Sequence, residues 1–128
     1  DFDIPYDRIR NVSGAQRIGG AIFNVKLDNT HPVAYGYGKT HPIFRRGTAF
    51  FKLSDAPAAN VGRYTSSPLI SGYISEEKLD EMKNTASIIS KKQDSGRIIM
   101  FADNPAFRAF WYGTHGLLMN AILFGKAF

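Results

Sequence analysis

GRIIMFADNPAFRAFWYGTHGLLMNAILF, residues 96–124, is the stretch whose reading decides the fold of this chain. Gly96 closes a turn, and residues 97–102 form an apolar run short enough for a buried strand. Asp103, Asn104 and Pro105 then supply breaker and capping chemistry. Asn104 can accept from the orphan N–H groups of a first helical turn. Pro105 suits the first helical position, where its missing N–H would find no partner. Farther on, Leu117, Leu118, Ala121, Ile122 and Phe124 recur at helical spacing as one apolar stripe. The pattern is strand, polar loop, helix, the common unit of α/β sheets, in which ligands often sit at the carboxyl ends of strands. Asp103, Asn104 and Arg108 are therefore the first candidates for a binding site.

Within that loop, Asp103 gains from a helix dipole, and Arg108 can pair with it or hold a carboxylate or phosphate in bidentate fashion. Phe107, Phe110, Trp111 and Tyr112 form a stacking platform if exposed and a core if buried. Aromatic side chains dominate core energetics, which favours the core. Gly113 and Gly116 flank Thr114 and His115, where the backbone can bend or two elements can approach closely.

Outward from this stretch, residues 85–93 alternate in part, and Asp94, Ser95 and Gly96 make a turn. A hairpin with the run after Gly96 follows, so the sheet is mixed or partly antiparallel. Ser75 is a credible N-cap for a short surface helix, with Glu76 and Glu77 in its first turn. Its acids, set among Lys78 and Lys83, read as a solvated face rather than a general acid and base. Residues 54–67, rich in Ala, Asn, Pro and Gly, read as a long loop whose interactive members are Arg63 and Tyr64. Residues 48–53 read as a strand, with Arg45, Arg46 and Gly47 as its turn, and residues 20–28 as another. Pro32 opens a short helix carrying Val33, Ala34 and Tyr35. Residues 1–17 read as an irregular lead-in from an upstream domain, with a short helical turn around Tyr6 to Asn11, and residues 18–128 as a single domain.

Thr-His-Pro occurs at Thr30 and again at Thr40, which raises a metal hypothesis. Zinc needs three or four ligands, and no His-x-x-Glu, His-Glu-x-x-His or cysteine pair exists here. Histidines bonded to loop backbone before a proline account for both triplets. No cysteine is present, which excludes disulfides and a cysteine nucleophile. The net charge of +5 could attract anions or nucleic acid. The basic residues are scattered, and the adjacent pairs Arg45-Arg46 and Lys91-Lys92 lack interleaved aromatics, so a nucleic-acid partner is not expected. No apolar stretch is long enough to span a bilayer as a helix. Asp1 is not a natural start, so the chain reads as a fragment or processed product.

The runs FADNPAFRAFWYGTHGLLMNAILFG, RYTSSPLISGYISEEKL and THPVAYGYG resemble the C-terminal accessory region of a group of bacterial zinc carboxypeptidases, a domain similar to the class I glutamine amidotransferase fold. The likeness covers most of the chain, from about Ile18 to Gly125. It implies a non-catalytic accessory domain of a zinc metallocarboxypeptidase, with the zinc and its ligands in an upstream peptidase domain of the same polypeptide. No cofactor belongs to this chain on that reading. The peptidase domain is its partner, peptide substrate a possible second one, and the periplasm or cell exterior its home. The match is closest at Asp103, Asn104, Pro105, Phe107, Arg108, Trp111, Tyr112, Gly113 and Thr114. No catalytic residue carries over.

Three readings follow. The chain is an accessory domain with an exposed aromatic face. It is a small-ligand or peptide module, with the Asp103/Arg108 loop holding an anion in a concave site. Or it is an independent hydrolase, for which only His31, His41 and His115 are available. The expected fold is α/β, a layered mixed sheet of about five strands with flanking helices, resembling part of an amidotransferase-like (flavodoxin-like) domain. Candidate ligand or interface residues are Asp103, Asn104, Arg108, Trp111, Tyr112, His115, Arg63 and Tyr64.

Overall fold

The computed structural model describes residues 17–126. The expected lead-in and the helical turn near Tyr6 lie outside the described residues, Arg17 excepted. Five strands form one sheet: β1 (Ile18–Leu27), β2 (Thr40–Gly47), β3 (Asn60–Gly72), β4 (Ala86–Gln93) and β5 (Gly96–Phe101). Their order is β2-β1-β3-β4-β5, and every pairing is antiparallel. Two helices accompany them, α1 (Glu76–Met82) and α2 (His115–Phe124). The class is α/β with five strands, as expected. The expected mixed sheet is corrected: the hairpin signal at Asp94 extends to all neighbours, and no parallel crossover occurs among the described strands.

Two strands lie where the sequence reads as turn or loop. β2 occupies residues 40–47, not 48–53, which run on as loop with a single bridge from Phe51 to Ala86. Pro42 is admissible there because β2 is an edge strand among the described residues, with β1 alone beside it. β3, central in the sheet, replaces most of the expected loop of residues 54–67 and the turn through Gly72. It tolerates Pro68 through a bulge. Between the pairs Val25↔Tyr64 and Phe23↔Leu69, a step of two residues on β1 answers a step of five on β3. β4 pairs with β3 only from Asn60 to Arg63, so nothing on that side needs the N–H that Pro68 lacks.

The hairpin of β4 and β5 is as read, with Gln93 opposite Gly96 and Asp94 at φ 50. Ser75 caps α1, its hydroxyl accepting from the Lys78 N–H at 3.4 Å. The acids of α1 form a solvated face with ion pairs Lys78–Glu81 and Lys83–Asp80. Pro32 opens a 3-10 turn, Pro32–Ala34, capped by His31.

The core gathers Ala21, Phe23, Val25 and Leu27 of β1, Ile43 of β2, Val61 and Tyr64 of β3, Ile88 of β4, Met82 of α1 and Leu117 of α2. The odd-numbered residues of β1 point to one face and pair with odd-numbered residues of β2, so alternation places this set inside. The sheet is curled rather than flat. The carbonyl of Phe51, four residues past β2, accepts from the N–H of Ala86 on β4, three positions away in strand order.

The segment after β5 departs from expectation. Asn104 accepts from Ala106 N at 3.0 Å, but no long helix begins there. Two 3-10 turns, Phe107–Ala109 and Tyr112–Thr114, come first, with Arg108 and Ala109 at φ 49 and 53. α2 starts only at His115. Of its expected apolar stripe, Leu117 is buried, while Ile122 remains 66% exposed.

Candidate functional site

The loop between β5 and α2 carries the chemistry, and it divides into a buried polar cluster, an aromatic–arginine platform and a hydroxyl clamp. In the buried cluster, Arg45 on β2 is 1% exposed and donates from Nη1 to the Tyr64 hydroxyl at 2.6 Å. Its Nη2 donates to the Ala49 carbonyl, and its guanidinium lies 4.8 Å from the centre of the Phe50 ring. Its Nε has no hydrogen-bond partner among the described residues. The Ser87 hydroxyl, fully buried on β4, donates to Asp103 Oδ1 at 3.3 Å. Asp103 keeps some residue-level exposure, but its carboxyl group sits in this cluster. Burial pushes its pKa up to about 7, against the opposing pull of Arg45 and the Ser87 bond. Burial and the Asp103 charge likewise hold the Tyr64 phenol well above its usual range. The cluster can hold or release a proton near neutral pH, enclosed by β2, β3 and β4.

Asp103 therefore faces Arg45 and Ser87, and no ion pair with Arg108 forms. Arg108 turns outward onto Phe107, 5.3 Å from the ring centre, and its left-handed backbone fixes that direction. Arg46 neighbours Arg45, but strand alternation sends it to the other face of β2. It stands 5.7 Å over the same Phe107 ring. Phe107 meets Phe44 at 4.7 Å and Phe110 at 5.6 Å, and Trp111 meets Phe44 at 6.2 Å. These aromatics are not the core that the sequence suggested. Phe110 is 53% and Tyr112 74% exposed, with Phe107 and Trp111 half-buried. A cleft of about 310 Å³ opens between Arg17, Phe44, Arg46, Gly47, Asn104 and Phe107.

The clamp joins the start and end of the chain. Tyr37 donates its hydroxyl to the Gly113 carbonyl at 2.9 Å and accepts from the Leu117 N–H at 3.2 Å. A Cβ at Gly116 would stand 2.6 Å from that hydroxyl, which is why the position is glycine. Asn120 adds bonds to the Val33 and Tyr35 carbonyls at 3.0 and 2.8 Å. His41 packs edge-on against Tyr37 at 4.8 Å, and burial lowers its pKa from the ordinary histidine value. His115 meets Tyr112 edge-on, with ring centres 5.2 Å apart. The Trp111 indole N–H and one ring nitrogen each of His41 and His115 are buried without a partner among the described residues.

Of the sequence-predicted candidates, Asp103 and Tyr64 meet in the buried cluster, and Asn104, Arg108 and Trp111 share the platform. Tyr112 and His115 border the clamp. Arg63 lies apart, with Lys26 and Asp28 at a separate surface cleft. Sequence reasoning missed Arg45, Ser87, Phe44, Arg46, Arg17 and Tyr37. The alternation of residues 40–47 was the available signal for separating Arg45 from Arg46, and it was obscured by Pro42 and Gly47. The two Thr-His-Pro triplets do not converge. His31 Nδ1 accepts from Val33 N at 3.2 Å, while His41 belongs to β2. No group of three or more His, Cys, Asp or Glu side chains able to hold a metal occurs among the described residues. No described helix is long and apolar enough to cross a membrane, which says nothing of a β-barrel.

Comparison with protein-family models, with curated proteins and with solved structures gives no match to this chain.

Proposed function

We propose that this chain is a non-catalytic accessory domain of a zinc metallocarboxypeptidase, similar to the amidotransferase-like C-terminal region that its aromatic motifs resemble. Its role is to pack against the peptidase domain of the same polypeptide, outside the cytoplasm. Zinc and the bond-breaking groups belong to that upstream domain, where a metal ion would polarise the scissile carbonyl and activate water. The observation that carries the reading is the concentration of apolar side chains on one side of the domain. Met119, Ile122 and Leu123, set three and four residues apart on α2, are all exposed. Ile99 and Phe101 of β5 with Leu118 and Ala121 of α2 line a groove of about 1150 Å³ beside them. Contiguous apolar surface of this kind marks an interaction site.

The test is a carboxypeptidase assay on the longer polypeptide that this reading requires and on this chain alone, each with zinc and with chelator. Zinc-dependent release of C-terminal residues by the longer polypeptide, with this chain inert, is the expected result. Peptide hydrolysis or tight zinc binding by this chain overturns it. A second reading, a small-anion or peptide module, is favoured by the two arginines that flank Phe107.

A further inference from the structure

The cleft between Arg17, Arg46 and Asn104 combines three features. First, its described lining is cationic. Arg17 and Arg46 both line it, and no acidic side chain among the described residues does. The ion pairs among the described residues are the two on α1, so no described carboxylate neutralises either guanidinium. Second, its floor is aromatic. Phe44 and Phe107 meet with ring centres 4.7 Å apart and planes inclined at 37°, and Arg46 is held over the Phe107 ring. Third, it has a fixed polar wall. Asn104 spends its side-chain oxygen on the Ala106 N–H at 3.0 Å, which leaves the amide NH₂ as the donor available to a guest.

Guanidinium groups suit oxyanions because their N–H fork matches two oxygens at once, and the aromatic floor suits an apolar group attached to that oxyanion. At about 310 Å³, the cleft is at the small end of ligand sites. It has room for one acid group and one side chain. We propose that this cleft binds the free C-terminal carboxylate of a peptide, with the terminal apolar or aromatic side chain on Phe44 and Phe107. The proposal deepens the peptide-module reading and moves its centre from Asp103 and Arg108 to Arg17, Arg46 and Asn104. It does not depend on the accessory-domain reading, because the cleft lies wholly within this chain.

The experiment titrates this chain with an N-acetylated tripeptide ending in Phe, with the same peptide as its C-terminal amide, with inorganic phosphate and with a short oligothymidylate. Binding is followed by calorimetry and by NMR shifts. The free acid is expected to bind, the amide at least about tenfold more weakly, and phosphate to compete with the acid. Arg46→Ala and Arg17→Ala should each weaken the acid about tenfold, while Arg63→Ala, at a distant cleft, leaves it unchanged. Equal binding of acid and amide overturns the proposal. So does full affinity in Arg46→Ala that retains the parent melting temperature, or binding of the oligothymidylate in place of the peptide. Activity of the longer polypeptide is not read here, so failure of this site and failure of the accessory role remain distinguishable.

Discussion

Arg45 and Tyr64, on strands β2 and β3, share a hydrogen bond of 2.6 Å with neither residue more than 1% exposed. No carboxylate lies within ion-pair distance of that arginine among the described residues. Its charge is instead spread over a phenol oxygen, the Ala49 carbonyl and two aromatic ring faces. Buried charges held this way are sensitive to loss of any one partner.

Tyr64→Phe removes one acceptor and leaves Arg45 Nη1 dry. It should destabilise the domain by about 1–3 kcal/mol in urea unfolding. Tyr64→Phe combined with Arg45→Met should cost less than the sum of the two single changes, because the second removes the charge that the first strands. Additive losses would mean that the pair does not act as a unit.

Asp103 makes stability depend on pH in a defined direction. Its ordinary pKa of 3.8 rises to about 7 in the fold. The folded state keeps the proton after the unfolded chain has lost it. The contribution is full below about pH 4 and is lost as pH rises through about 7. His31 and His41, with pKa values lowered below 6.5 by burial, oppose it: their contribution is full above that value and lost as pH falls. Asp103→Asn isolates the carboxyl. The variant should match the parent near pH 4 and exceed it by about 1–3 kcal/mol at pH 8. Parallel pH profiles for the two proteins would exclude a raised Asp103 pKa.

Gly116→Ala places a methyl carbon 2.6 Å from the Tyr37 hydroxyl. Overpacking of this kind should lower stability by about 1–3 kcal/mol, although alanine is the better helix former. Tyr37→Phe removes the nearest atom and should restore part of the loss in the double variant. A Gly116→Ala protein more stable than the parent would contradict the clamp.

Ile122→Glu alters an exposed helical position and should move the melting temperature by no more than about 2 °C. In the longer polypeptide it should loosen the domain from its neighbour, read as increased protease cleavage between them. Unchanged cleavage would remove the α2 face from the proposed interface.

The hairpin around Asp94, the Ser75 cap and the Pro32 turn were legible because each depends on residues a few positions apart. β2 and β3 were hidden for the opposite reason. Pro42 is allowed by an edge and Pro68 by a bulge, and both conditions are set by neighbouring strands. The same limit applied to the site. Asp103, Asn104 and Arg108 stood out beside a strand end, and Tyr64 was singled out within a supposed loop. The partners Arg45, Ser87 and Phe44 come from three other positions in the chain, and the curl of the sheet brings them together. The late start of α2 was masked by aromatics whose helical spacing is broken by the backbone at Arg108 and Ala109.

The bonds from Tyr37 and Asn120 to the far end of the chain span 76 to 87 residues. A ten-residue helix has little stability in water by itself. The last helix therefore forms durably only when the segment near Tyr37 is already in place, which makes its docking a late event in folding, with a large loop to close. In the native protein the same dependence orders local opening. Amide protons of α2 should exchange with solvent sooner than those of β1 and β4, and the protein would breathe first at the clamp.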